Sequence, residues 1–373
     1  MAEWKTTPMG ALCSIKNGKS NTEDAVEDGP YAFFDRSKQV KRSSKYLFDC
    51  EALIIPGEGT EFLPKEYRGK FDLHQRAYAL YEFKDIDPKY LYYFLIHSKD
   101  YWPRVAVGAT VKSLRLRHFE DLPVTHPPLP EQQRIVTKLD AAFAALAEAQ
   151  AHVERNRANA RELFESYLNG VFEGRGGWEE VRLGDLIDIQ NGFAFKSDEY
   201  TASGHFLMRI SNVQDGIITL DNPKYVQIDE ARKERFVLDE GDILVSLTGN
   251  IGRVGVVKAE HLPAALNQRV ARVTVRERKR LQHSFLFFFL RSSYFREHLQ
   301  NAGHGAAQQN VSTSEMAEVR FSLPPFHEQQ HVMEALEAIQ QQTTQLESIY
   351  QQKLMELEGL KKGLLGAAFR GEL

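Results

Sequence analysis

Between Ile135 and Val171 the same kind of position returns at alternating spacings of four and three: Ile135, Leu139, Ala142, Leu146, Ala149, Val153, Asn156, Ala160, Leu163, Tyr167 and Val171. That is the period of a heptad seam, narrower than the apolar stripe of a helix lying on a globular core. The spacing predicts one helix over 131–172. A proline-rich run blocks its extension upstream, Pro130 suits the first turn, and the glycines from Gly174 to Gly177 end it. A second seam runs through Val332, Leu336, Ile339, Thr343, Leu346, Tyr350, Lys353, Leu357, Leu360, Leu364 and Ala368 in the same phase. Each helix is about 40 residues, hence roughly 60 Å long. Neither seam can stay in water, and two of equal length in one chain are natural partners; an antiparallel pairing makes their two environments equivalent. The alternative is an ordinary amphipathic helix on each domain. Asn156 and Lys353 share one seam position, where buried polar groups would set register.

The blocks ahead of the helices carry a different pattern. Ala52 to Ile55 and Asp242 to Ser246 are short apolar runs followed by glycine-rich turns, as in buried strands, and Arg269 to Val275 alternates like a strand with one wet face. Tyr90 to Leu95 and Phe285 to Leu290 are apolar and aromatic throughout, which fits a short buried helix or strand; a base-stacking platform is the alternative.

The chain also repeats itself. Trp4, Gly10, Leu12, Ile15, Asn17 and Gly18 return at an offset of 174 as Trp178, Gly184, Leu186, Ile189, Asn191 and Gly192. Pro127-Pro128-Leu129-Pro130-Glu131-Gln132-Gln133 returns at an offset of 197 as Pro324-Pro325-Phe326-His327-Glu328-Gln329-Gln330, and that offset then holds without a gap to Gly174/Gly371. Matched frames thus enclose unequal blocks. The pattern predicts a mixed α/β protein with a pseudo-twofold internal repeat: a first globular domain over 1–129, a helix over 130–174, a second domain over 175–326 and a second helix over 327–373.

Composition narrows the function classes. With 42% hydrophobic and 26% charged residues the 373-residue chain is an ordinary globular one, and its longest apolar run is too short to cross a bilayer, so cytosol is the expected location. Two cysteines exclude a disulfide framework or a cysteine-rich zinc site. The net charge of −4 argues only weakly against nucleic acid, because phosphate binding needs a local basic face. Catalytic motifs are broken. Gly18-Lys19-Ser20 ends like a phosphate-binding loop, yet Cys13 stands where the upstream glycine belongs. Asn222-Pro223-Lys224-Tyr225 approaches the Asn-Pro-Pro-Tyr loop of amino-methyltransferases but has Lys224 in it, and Asp72 with Glu82-Phe83-Lys84 mimics a metal nuclease without a counterpart in the second half.

Basic and amide side chains gather instead in turn-like stretches. In the first block these are Lys16, Asn17, Lys19 and Ser20, then Arg36 and Lys38, Arg76, and Arg104, Lys112, Arg115 and Arg117. In the second they are Asn191, Lys196, Arg209, Asn212, Thr248, Asn250, Arg253, Gln268, Arg269, Gln308, Gln309 and Asn310. Arg and Lys match the guanine edge and Asn and Gln the adenine edge, while Ser, Thr and glycine-turn amides hold phosphates. A solvated loop is the plain alternative for any one of them.

The repeats resemble those of the specificity subunit of type I restriction-modification systems. The likeness rests on the two Pro-Pro-x-x-Glu-Gln-Gln junctions, the helix ends Gly170 to Gly174 and Ala367 to Leu373, the opening Trp178 to Leu186, and Gly241 to Val245 with Thr248 to Gly252. The first block lacks a counterpart of Arg209-Ile210-Ser211-Asn212; it has instead Tyr31-Ala32-Phe33-Phe34 followed by Pro56-Gly57-Glu58-Gly59, which looks like a different class of recognition domain. The resemblance implies two target recognition domains, separated by the two helices packed as an antiparallel coiled coil, reading a bipartite double-stranded DNA site. It implies no cofactor in this chain: two modification (methyltransferase) subunits and ATP-dependent restriction subunits would supply S-adenosylmethionine, ATP and magnesium chemistry. The competing classes are a two-headed adaptor for protein partners and a methyltransferase or nuclease.

Overall fold

The computed structural model describes residues 3–173, 177–302 and 310–373. The chain divides into two compact units, 1–154 with 351–373, and 155–350, so that each long helix contributes a segment to both. The helices span Leu129–Phe172 and Phe326–Phe369.

In the first unit, strand Lys5–Pro8 pairs antiparallel with Pro123–His126, closing the start of the head onto its end. Between them lies a six-stranded sheet in the order Ser14–Asn17, Ala77–Tyr81, Phe48–Pro56, Lys65–Leu73, Tyr31–Phe34, Lys41–Ser43, antiparallel except where Tyr31–Phe34 meets Lys65–Leu73. The aromatic run forms helix Pro88–His97. Pro88 opens it, and the Asp87 carboxylate caps it by accepting from the Lys89 and Tyr90 amides at 2.8 and 3.0 Å.

The second unit repeats this frame. Glu179–Arg182 pairs with Arg320–Leu323, and Ile187–Asn191, Val270–Val275 and Ile243–Ser246 stand in the order of their first-unit counterparts. His205–Met208 pairs parallel with Ala264–Leu266, as Tyr31–Phe34 does with Lys65–Leu73, but here within a separate five-stranded sheet. The second aromatic run is helix His283–Arg291. Both aromatic runs are core: Tyr90, Leu91 and Leu95, and Phe285, Leu286 and Phe289, have essentially no exposed surface, which removes the stacking-platform reading.

The helices run antiparallel within each unit. Ile135 and Leu139 are buried with Leu365 and Ala368 in the first, and Phe164, Leu168 and Val171 with Met333 and Leu336 in the second. Lys361 lies 5.6 Å from the Phe143 ring centroid, and Arg161 pairs with Glu347 at 2.9 Å. Within each unit, rising numbers on one helix meet falling numbers on the other.

The seam departs from the strict heptad at its middle. Leu163 and Leu360 are 60% and 52% exposed, and Asn156 and Lys353 are exposed too, so neither polar residue sets register from inside the seam. The inward positions after Ala149 are Val153, half-buried Arg157, Ala160, Phe164 and Leu168; on the partner helix Thr343 is followed by Glu347, Tyr350 and Leu354. Two successive spacings of four shift the phase by one residue. An α-helix has 3.6 residues per turn and drifts about 20° per heptad against a 3.5 repeat, and such a stutter resets it without supercoiling.

Two glycines let loops of the heads approach backbone closely. A Cβ on Gly18 would lie 1.8 Å from the Leu73 carbonyl oxygen, and one on Gly192 would lie 2.4 Å from that of Leu266. Both obstacles are backbone and cannot yield. Gly18→Ala and Gly192→Ala should each cost about 3 kcal/mol or more. Gly363→Ala, on the exposed face of a helix with nothing within 4 Å, should stabilise by about 0.5–1 kcal/mol. Thermal denaturation of the three variants checks the opposite signs.

Candidate nucleic-acid interface

In each unit four loops meet at one end of the shared strands, held by equivalent backbone hydrogen bonds. Gly18 donates to Ala77 O (3.2 Å) as Gly192 does to Val270 O (3.3 Å); His74 donates to Phe34 O (2.9 Å) as Asn267 does to Met208 O (3.2 Å). Gly57 donates to Arg76 O (2.8 Å) and Leu114 to Gly57 O (2.7 Å), matched by Leu247 to Arg269 O (3.1 Å) and Val311 to Leu247 O (2.9 Å).

These bonds align the heads residue by residue. Asp35-Arg36-Ser37 follows Phe34 as Arg209-Ile210-Ser211 follows Met208, so the counterpart missing from the sequence reading is present with different side chains. The two heads share this loop frame, although the first builds it on one six-stranded sheet and the second on a four-stranded and a five-stranded sheet. Gln75-Arg76 stands where Gln268-Arg269 stands, and Glu58 bridges Ser113 as Thr248 bridges Asn310. The Gln-Arg pair recurs at an offset of 193, between the two offsets that the flanking motifs announce, and that third offset is the signal that could have found it.

In the first head the loop cluster brings together Asn17, Lys19, Arg36, Lys38, Arg76, Lys112 and Arg115. Arg36 and Arg76 line one recess with Asn21, His74 and Gln75, and Arg76 and Arg115 line the next with Glu58 and Tyr78. Lys19, Gln75 and Arg115 are exposed, as are Arg36 and Arg76. Lys38 pairs with Glu61 at 3.0 Å on open surface, where the pair is weak. Asn17 Nδ2 donates to the Gln75 carbonyl (3.1 Å), and Gln75 Nε2 to Asn21 Oδ1 (2.6 Å), so these amides brace the turn. His74 Nδ1 accepts from the Arg76 amide at 3.0 Å, and burial lowers the imidazole's pKa below its usual value, aided by Arg36 and Arg76 and opposed by Asp35 and Glu58.

Some expected contacts serve the fold instead. Ser20 is buried and its hydroxyl donates to Asp72 Oδ2 at 2.7 Å, alongside Ser43 at 3.1 Å; the same bonds occupy the acid of the nuclease-like triplet. Lys16 leans over the Tyr81 ring at 5.7 Å, a residue of the neighbouring strand, and Tyr81 raises its pKa. Arg104 and Arg117 are exposed on the short helices Trp102–Val105 and Leu116–Glu120, outside the recesses. Burial pushes the Cys13 thiol up to about 12, so the broken phosphate loop holds no reactive thiolate.

In the second head Asn191, Arg253, Gln268 and Arg269 come to the same end. Arg253 Nη1 donates to Gln214 Oε1 (2.8 Å), and Arg296 Nη2 to Asp215 Oδ1 (2.7 Å), fixing the 211–216 loop beside the 248–253 loop. Asn250 and Asn310 are exposed there. Arg209 is half-buried and donates to the Asn222 carbonyl. Asn212 is fully buried: its oxygen accepts from the Arg209 amide (3.2 Å) and its Nδ2 donates to the Thr219 and Asp221 carbonyls (3.0 Å each). It ties the loop and faces no ligand. Thr248 is buried in its bridge to Asn310, and Lys196 opens a short 3-10 turn capped by Glu199. Gln308 and Gln309 lie outside the described residues.

Two matched loop clusters carrying exposed guanidinium and amide groups on turns, each on its own α/β frame, define a two-headed recognition protein. The comparisons with known proteins agree. The family described as "Type I restriction modification DNA specificity domain" matches residues 1–154 and 175–357, and the chain belongs to that family. It is a DNA-recognition subunit, and not the catalytic one, of a type I restriction-modification system. The chain is similar to the MjaVIII specificity subunit of Methanocaldococcus jannaschii, 27% identical over 307 residues covering 78% of this chain and 71% of the relative. It is also similar to the EcoDI specificity subunit of Escherichia coli, 22% identical over 413 residues covering 100% and 89%. A chain from a structure of type I R-M complex assembly and conformational transition shares the fold with a TM-score of 0.75 at 19% identity, covering 99% of this chain and 98% of that one. The HsdS subunit of Thermoanaerobacter tengcongensis does so at 0.56 and 19%, covering 99% and 97%. Among the described residues no helix is long and apolar enough to cross a membrane.

Asn212→Ala should cost about 2–4 kcal/mol, because it strands two carbonyls and an amide in a buried site. Arg269→Ala, at an exposed turn, should leave the melting temperature within a degree or two and weaken duplex binding. Parallel melting and anisotropy measurements separate the two roles; an Asn212→Ala protein of unchanged stability overturns the structural assignment.

Proposed function

We propose that each head reads one half of a bipartite duplex site, and that the paired helices set the unspecified gap and dock two modification subunits. The observation that carries this reading is the single frame built twice with different side chains on its loops: equal frames dock equal partners, and unequal loops read unequal half-sites. Leu163 and Leu360 support the docking part. They hold the same position in the two repeats and are 60% and 52% exposed. Matched apolar side chains left in water suit two copies of one partner. Restriction subunits join the same assembly. S-adenosylmethionine, ATP and magnesium act in those partners, this chain holding none of them, and the complex works in the cytoplasm where the DNA lies. The adaptor reading is disfavoured by the basic and amide groups that both loop clusters present.

The spacer provides the test. Inserting one heptad into both helices, after Val153 and after Tyr350, keeps each seam in phase and adds about 10 Å. At about 3.4 Å per base pair that matches about three pairs, which also turn the second half-site by about 100°. Selection from a library of gap lengths should return a longer preferred gap, shortened from three pairs to the extent that rotation opposes it, or a lower affinity. A double-insertion protein that folds, binds tightly and keeps the original gap rules out the spacer role.

A further inference from the structure

Glu58 and Asp35 are buried acids beneath the basic loops of the first head; Asp35 is paired with Lys41 at 2.7 Å, while Glu58 faces two arginines. Its side chain is 9% exposed, and each carboxylate oxygen holds a different arginine: Oε2 accepts from Arg36 Nη1 at 3.4 Å, and Oε1 accepts from Arg76 Nη1 in a short bond. Both arginine side chains remain 58% exposed. The acid is fixed from behind, since its neighbours Gly57 and Gly59 are bonded to Arg76, Leu114 and Lys112. The second head has the same turn and the same arginine, Arg269, but Thr248 in place of Glu58.

We infer that Glu58 is a positioning residue for sequence reading: it holds Arg36 and Arg76 as fixed forks, through which the first head reads a G·C pair. This rests on the DNA-reading function proposed above. A buried carboxylate does not itself meet a base. It takes one Nη1 donor from each arginine while both side chains stay largely exposed, so the remaining donors are open to a ligand, and two parallel N–H groups match the O6 and N7 acceptors of guanine. A free arginine on a surface must lose its rotamer freedom on binding; one already tethered loses little. Without the tether the same two charges would still attract any phosphate, and more strongly, because the negative charge of Glu58 offsets part of their positive charge. Sequence preference and non-specific affinity are therefore pushed in opposite directions by one carboxylate.

The test uses the full chain assembled with its modification subunit, with sites selected from a randomised duplex library and affinities measured for the selected and a scrambled duplex. Wild type should select a G·C pair in one half-site. Glu58→Gln, nearly the same shape, and Glu58→Thr, the residue of the second head, should relax that pair, leave the other half-site and the gap alone, and lower selected-site affinity about tenfold to a hundredfold. Affinity for the scrambled duplex should hold or rise. Equal loss on both duplexes, a relaxation in both half-sites, an unchanged motif, or no G·C pair in the affected half overturns the inference. Should the Glu58 variants melt early, Arg76→Lys carries the test, since it keeps the charge and drops the planar fork: it should lose the same pair and keep scrambled-duplex affinity. If wild type selects a bipartite motif that these variants retain, only the role of Glu58 falls; if wild type selects no motif, the DNA-reading function falls with it.

Discussion

Two buried amides hold the architecture together. Gln132 and Gln329, both with no exposed surface, stand at the first turns of the long helices. Gln132 Nε2 donates to the Pro127 and Asp85 carbonyls (2.8 and 3.1 Å), and its oxygen accepts from the Asp87 amide (2.8 Å). Gln329 does the same with Arg280 and Pro324 (2.7 and 3.1 Å) and with Gln282 (2.9 Å). Each amide thus ties the helix start to the chain just ahead of the aromatic helix. A buried amide has no water to fall back on, so the angle at which the spacer leaves the head is set by all three bonds at once. That is the physical content of the repeated Pro-Pro-x-x-Glu-Gln-Gln: prolines stop the helix upstream and the glutamine aims it.

The far end of the other helix completes each anchor. Phe369 packs on Tyr90, Phe94 and His97 in the first unit, and Phe172 on Phe285 and Phe289 in the second. Each aromatic helix therefore receives the start of one long helix and the end of the other. The antiparallel order is a consequence of that exchange as much as of the seam, which explains how the seam tolerates a stutter and the exposed Leu163 and Leu360.

The heads show how recognition can vary while the fold does not. The loop-closing bonds run from backbone to backbone and are indifferent to side chain, apart from the two glycines whose missing Cβ makes room for a carbonyl. Asp35-Arg36-Ser37 and Arg209-Ile210-Ser211, or Glu58 and Thr248, occupy one frame at no cost to it. Exposed chemistry on the loops is free to differ because the bonds shared by the two frames do not depend on it; side chains such as Asn212 brace a single loop within one head.

Much of this was legible in the chain itself. The matched frames, the two long helices, the buried strands and the junction motif follow from periodicity and repetition, because apolar burial and proline geometry act locally and leave a regular trace. The loop residues were legible only as candidates. Ser20, Asn212 and Thr248 have the same polar side chains as true surface contacts, and only the folded chain shows each turned inward onto Asp72, onto its own loop, or into a bridge. The kinship of Asp35-Arg36 with Arg209-Ile210 left no trace in the side chains, since backbone bonds impose none. The seam slipped for a related reason: a heptad and a 3.6-residue helix agree over a few turns and then part, and which residue turns inward past Val153 is decided by the partner helix it meets.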